Sequence, residues 1–135
     1  MQRIGYFGPR GTFTEEVAQR LNQTIQGQLI PYETIFDLFK ALEKLEVDLG
    51  VMPIENSLEG SVAATLDVMA VGHADLRITQ EIDLRVHHHL IVQKDLKTKD
   101  MKEIISHPQA LAQCQRYLYK KFPNCPTHQA SSTAR

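Results

Sequence analysis

The chain has 135 residues, of which 42% are hydrophobic, and a formal net charge of -1, which suits one domain with a buried core. Lysines and arginines are scattered rather than clustered, so we expect neither a nucleic-acid nor a membrane partner. No apolar run approaches the roughly 20 residues of a membrane-spanning helix, and a strand-like run begins at Arg3 without an apolar signal region. We expect a cytoplasmic protein.

The first half of the chain alternates between strand-like and helix-like patterns. Thr12 and Glu15 have capping-box spacing, in which each side chain bonds an amide of the first helical turn. The predicted elements are a strand at 3–7, a helix from Thr12 with Val17 and Leu21 on one face, a strand at 29–32, a helix from Thr34 with Ile35, Leu38, Phe39, Leu42 and Leu45 on its buried face, a strand at 48–54, and a helix marked by Val62, Leu66 and Met69. This order predicts an α/β fold with a parallel or mixed sheet.

The second half has a different pattern, with consecutive strands predicted at 76–84 and 88–93. A strand at 102–105, a helix at 109–121 with Leu111, Cys114 and Leu118 facing inward, and a strand at 127–130 follow. We therefore predict two lobes, 1–75 and 76–135, with a boundary near 72–75. A helix pattern begins at Ser131, too close to Arg135 for a stable turn. We expect a fragment of a longer protein, with an incomplete second lobe.

Four polar segments lie where a strand ends and a helix starts, at 8–12, 55–57, 106–109 and 131–133. Ligands bind at the carboxyl ends of strands in open α/β sheets, and helix N-termini favour anions. Together these segments predict a pocket for a small molecule with more than one carboxylate. Two of the segments also fit a purely structural role: Ser106 and Gln109 have capping-box spacing, and 8–11 fits a tight turn.

Histidines and cysteines give weaker signals. Among His87–His89, only the first and third share a face of a strand, and nothing nearby completes a metal-ligand set, so we expect no metal. Cys114 falls on the apolar face of a predicted helix, which indicates a buried thiol. Cys125 lies in a loop, and we expect no disulfide in a cytoplasmic chain.

Four stretches together resemble the successive signatures of the prephenate dehydratase family: GPRGTFTEE at 8–16, PIENSLEGSV at 53–62, SHPQALAQC at 106–114 and ASSTA at 130–134. The resemblance runs across the whole chain. It implies a carbon–oxygen lyase of L-phenylalanine biosynthesis that converts prephenate to phenylpyruvate with loss of water and CO2, without a cofactor. It also implies a two-lobed fold similar to type II periplasmic binding proteins, and a homo-oligomer in the full-length protein.

The resemblance also assigns site residues. The catalytic ones are Glu55, Asn56 and Ser57; the substrate-binding ones are Thr12, Ser106, His107, Gln109, Ser131 and Thr133. The family's Thr-Arg-Phe segment and its ACT regulatory domain are expected beyond Arg135, so we expect the fragment itself to be inactive. Two alternatives stay open: a non-catalytic two-lobed protein that binds a small anion or an amino acid, and a regulatory or interaction module in which the polar loops are only helix caps.

Overall fold

The structure is a computed structural model that describes residues 1–57, 60–71 and 76–130. The chain divides into two compact units, Met1–Arg85 and Val86–Arg135. The first unit contains β1 (Arg3–Phe7), α1 (Phe13–Ile25), β2 (Gln28–Tyr32), α2 (Ile35–Glu43), β3 (Leu49–Val51), β4 (Glu55–Asn56), β5 (Gly60–Ser61) and α3 (Ala63–Ala70). The second contains a short 3-10 helix (Thr98–Asp100), β6 (Ile104–Ser106), α4 (Pro108–Lys121) and β7 (Thr127–Gln129).

The first unit is built on a parallel sheet with strand order β2-β1-β3. Ile4 on the central strand pairs with Leu29 on one side and Leu49 on the other. The middle of β1 is buried, as expected for a strand with helices packed over a parallel sheet. The alternating strands and helices predicted for the first half are therefore confirmed, although β3 is shorter than the predicted 48–54.

The core of the first unit lies between α2 and the sheet. Leu38, Ala41 and Val47 are buried together. Gly5 on β1 allows this packing, since a Cβ there would lie 2.5 Å from Leu38 Cδ1. Leu45 was predicted on the buried face of this helix, and that prediction is wrong. The helix ends at Glu43, and Leu45 follows it with φ 56° and a side chain that is 75% exposed.

The last helix of the first unit forms where Val62, Leu66 and Met69 predicted it. Those residues are not its buried face, however. Val62 is the N-cap residue, and both Leu66 and Met69 are exposed. The buried residue of α3 is Thr65, which is 1% exposed. Its hydroxyl can be buried there because it donates a hydrogen bond to the backbone carbonyl of Pro53.

The strands predicted at 76–84 and 88–93 are not present in the structure, where residues 76–93 form neither strand nor helix. A strand is stable only when its backbone N–H and C=O groups pair with a neighbour, and the described residues provide no partner for this segment. Several of its apolar side chains are exposed as a result, with Ile78 at 64% and Ile91 at 89%. The predicted lobe boundary at 72–75 lies outside the described residues.

The second unit contains a β-α-β arrangement in which β6 and β7 pair in parallel. Ile104 and Ala110 are its buried apolar residues. Both predicted strands and the predicted helix are confirmed, with bounds moved by one or two residues. The predicted inward-facing residues of α4, Leu111, Cys114 and Leu118, are half-buried. Within the described ranges, no helix is long and apolar enough to span a bilayer.

Candidate functional site

The turn after β1 places Thr12 at the start of α1. Gly8 N donates to Tyr32 O at 2.8 Å, which ties the start of the turn to β2. Gly11 adopts φ 84°, a conformation that favours glycine. Thr12 is the N-cap residue: its Oγ1 accepts from Glu15 N at 3.3 Å and donates to Pro9 O at 3.0 Å. The predicted cap is confirmed on the threonine side.

The Glu15 side chain does not make the hydrogen bond that the predicted capping box requires. Glu15 does not reach back to the amide of Thr12; its Oε2 accepts from Gly11 N at 2.5 Å and its Oε1 accepts from Tyr6 Oη at 3.0 Å. The Gly11 amide holds the pKa of Glu15 below its ordinary value, while burial and the adjacent carboxylate raise the pKa of Tyr6. The Gly11 amide is thus bonded within the chain, and an incoming anion must displace Glu15 to reach it.

The segment with Glu55, Asn56 and Ser57 is a small hairpin rather than the predicted loop. Glu55 pairs with Ser61 and Asn56 pairs with Gly60 in an antiparallel arrangement, which Gly60 permits with φ 74°. Glu55 and Ser57 are exposed, whereas Asn56 is half-buried. The backbone pairing was missed because the sequence shows no strand-like pattern over such a short span.

Two hydrogen bonds fix the base of this hairpin. Thr65 Oγ1 donates to Pro53 O at 2.6 Å, and Val62 N donates to Ile54 O at 2.8 Å. Thr65 was not predicted as a site residue. The sequence carried no signal for it, because the apolar residues that marked this helix, Val62, Leu66 and Met69, are not its buried face.

The turn and the hairpin lie at one edge of the sheet. Tyr6 near the end of β1 pairs with Val51 at the end of β3 in parallel, so both strands run toward the same edge. Thr12 follows β1 and Glu55 follows β3 after a few residues. The structure therefore brings two of the predicted segments to the carboxyl edge of neighbouring parallel strands, where α/β proteins bind ligands.

The second unit has an equivalent edge after β6. Ser106 is the last residue of β6, and its carbonyl accepts from Ala130 N at 2.8 Å. The predicted capping role of Ser106 is wrong: because the strand extends through this residue, His107 is the N-cap, with Nδ1 accepting from Gln109 N at 3.3 Å. That bond requires an unprotonated Nδ1.

Gln109 carries a buried polar group at this edge. Its Nε2 is buried and has no hydrogen-bond partner among the described residues, which is uncommon for a buried donor.

The segment with Ser131 and Thr133 follows β7, whose last residue Gln129 pairs with Ser106. Ser131 and Thr133 themselves lie outside the described residues.

Within the part of the chain that the structure describes, no group of three His, Cys, Asp or Glu side chains could hold a metal ion. His88 Nε2 lies 2.9 Å from Gln113 Oε1. Cys114 and Cys125 are free and half-buried.

Polar segments at the carboxyl edges of parallel strands define a class of α/β protein that binds small molecules. Within that class, the family model for prephenate dehydratase matches residues 4–135. The chain belongs to the prephenate dehydratase family.

Curated relatives and solved structures agree with this assignment. The chain is 40% identical over 132 residues to the bifunctional chorismate mutase/prephenate dehydratase of Neisseria gonorrhoeae, covering 97% of the chain and 35% of that protein. It is 39% identical over 134 residues to the prephenate dehydratase of Amycolatopsis methanolica, covering 99% of the chain and 43% of that protein. The structure of prephenate dehydratase from Staphylococcus aureus matches 98% of the chain and 48% of its own, with a TM-score of 0.74 and 25% identity. That of the Arthrobacter aurescens enzyme in complex with L-Phe matches 98% and 44%, with a TM-score of 0.73 and 28% identity. The chain spans less than half the length of these relatives.

Proposed function

We propose that the chain is part of the catalytic domain of a prephenate dehydratase, which converts prephenate to phenylpyruvate with loss of water and CO2. One observation carries the proposal: in a chain of this family, the turn with Thr12 and the hairpin with Glu55–Ser57 follow neighbouring parallel strands at one sheet edge. The side chains of Asn56 and Ser57 at that edge carry donors that suit a substrate with carboxylates.

The proposed reaction requires a correctly oriented substrate and one proton for the leaving hydroxyl. As the ring carboxylate departs as CO2, its bonding electrons enter the ring and the ring hydroxyl leaves, taking a proton to become water. Aromatisation drives the step, so the enzyme contributes chiefly a fixed geometry and a donor beside the leaving hydroxyl. In this proposal Asn56 and Ser57 donate hydrogen bonds to the substrate. Glu55 is exposed at the same hairpin, and it is proposed to act at the substrate beside them.

The second edge is proposed to hold a substrate carboxylate. His107 is fixed by its bond to the Gln109 amide, and the side-chain amide of Gln109 has a buried donor without a partner in the described part of the chain. A carboxylate oxygen is a suitable acceptor for that donor. Ser106, Ser131 and Thr133 are proposed to complete this group of donors.

Further features of the proposal concern the whole protein. We infer two lobes, 1–75 and 76–135, in a fold similar to type II periplasmic binding proteins. The whole protein is proposed to act in the cytoplasm as a homo-oligomer and to need no cofactor. The matches that cover 98% of the chain to solved prephenate dehydratases support the fold.

A chimera tests the proposed activity. Residues 1–135 replace the matching segment of the Amycolatopsis methanolica relative, which aligns over 134 residues, and phenylpyruvate formation is followed by absorbance. We expect turnover of prephenate by the chimera. A chimera with an intact circular dichroism spectrum that binds an amino acid or small anion in calorimetry, but neither binds nor converts prephenate, would favour the non-catalytic binding protein.

A further inference from the structure

We infer that Glu15 is a positioning residue that holds the turn carrying Thr12 at the sheet edge. The inference deepens the proposed function and rests on it, since Thr12 matters for catalysis only if that edge binds the substrate. Glu15 acts through the turn and is not proposed to touch the substrate.

The carboxylate of Glu15 connects three elements. It lies on α1, its Oε2 accepts from Gly11 N in the turn, and its Oε1 accepts from the hydroxyl of Tyr6 on β1. Tyr6 is 1% exposed, so this anchor belongs to the core and does not move with the surface. Both oxygens of one carboxylate are therefore used to fix the turn against the central strand.

Thr12 depends on this arrangement directly. It is the residue after Gly11, and its Oγ1 is bonded to Pro9 O and to Glu15 N. The hydroxyl direction is thus set from both sides, by the turn and by the first turn of α1. A turn that moved away from Tyr6 would carry Thr12 with it, and a displacement of 1 Å in a positioning group can lower a rate by about 100-fold.

The charge of Glu15 is part of the arrangement, because a hydrogen bond from an amide to an ionised acceptor is stronger than one to a neutral acceptor. The Gly11 amide lowers the pKa of Glu15, and the Tyr6 hydroxyl and the Arg10 charge act in the same direction. These side chains from β1 and the turn are the titratable groups that face it. The carboxylate is accordingly ionised near neutral pH.

Glu16 offers a matched control for Glu15. It lies in the same first turn of α1, so its removal takes away a negative charge near the helix N-terminus and changes the net charge in the same way. Its carboxylate instead pairs with Arg20 on the helix surface, with Oε1 2.6 Å from Nη2. Glu16→Ala therefore separates a loss of charge from a loss of the bonds to Gly11 and Tyr6.

The first test uses the 135-residue chain and does not depend on catalysis. In amide-resolved NMR, the Gly11 proton should lie downfield and should titrate with an apparent pKa below that of an ordinary glutamate. Glu15→Gln should abolish the titration, and Glu16→Ala should leave it in place. A Gly11 resonance that does not respond to pH in the wild-type chain would overturn the arrangement itself.

The second test uses the chimera described above. Glu15→Ala should lower kcat/KM by about 10- to 100-fold, mainly through kcat, and Glu15→Gln, which can still bond both partners, should recover most of the loss. Equal kcat/KM in Glu15→Ala and Glu16→Ala, or a lower KM in Glu15→Ala, would overturn the inference. A wild-type chimera without turnover would remove the proposed function, while the NMR result would still decide whether Glu15 holds the turn.

Discussion

Replacing Thr65 with Val removes one hydroxyl at nearly constant volume. Thr65 is 1% exposed, and its Oγ1 donates to Pro53 O at 2.6 Å. The variant leaves that carbonyl without its partner, which costs about 1–3 kcal/mol when the group stays away from water. With a urea m-value of about 1–3 kcal/mol/M, the unfolding midpoint should fall by about 1 M.

Hydrogen exchange at Val62 shows whether the loss is local to the hairpin. The Val62 amide bonds Ile54 O next to the Thr65–Pro53 bond, so it should exchange faster in Thr65→Val than in the wild type. Thr65→Ser is the matched control, since it keeps the hydroxyl and loses one methyl group. Exchange at Val62 that is unchanged in Thr65→Val, or faster in Thr65→Ser, would refute the claim that this hydroxyl fixes the hairpin.

Three further predictions concern stability. Leu45→Gly should raise the free energy of unfolding by about 0.5 kcal/mol, because φ 56° is strained for leucine; Lys44→Gly, at φ -81°, should lower it in the same urea titration. Gly5→Ala should lower the thermal midpoint, since the new Cβ would lie 2.5 Å from Leu38 Cδ1 and overpacking costs about 1–3 kcal/mol. The lowered pKa of Glu15 should stabilise the fold above the ordinary glutamate pKa, with the gain lost as pH falls through the lowered value; unfolding against pH should lose this component in Glu15→Gln.

Local patterns predicted the elements whose signals lie within a few residues. Thr12 and Thr34 were identified as helix starts, and both are N-caps. The hydroxyl of each accepts a hydrogen bond from the backbone amide three residues later. The alternation of strands and helices was enough to predict a parallel or mixed sheet, because short connections of that kind leave few topologies.

Features that depend on distant partners could not be predicted in the same way. Residues 76–93 have the apolar alternation of strands, but a strand needs a neighbouring backbone. The place of Leu45 depended on where α2 ended, and the buried acceptor for Thr65 is Pro53, 12 residues earlier in the chain. At the site, residue types indicated the sheet edge, whereas the bond from Gly11 to Glu15 depended on the fold of the turn.

The central claim is that the hairpin with Asn56 acts on prephenate, and turnover by the chimera with and without Asn56→Ala tests it most directly. Removing one donor at a reacting group typically lowers kcat by about 100- to 1,000-fold, and we expect a loss in that range at unchanged thermal stability. Asn124→Ala, an exposed asparagine of the second unit, is the control and should retain activity. Equal turnover of prephenate in the Asn56→Ala and Asn124→Ala chimeras would contradict the account.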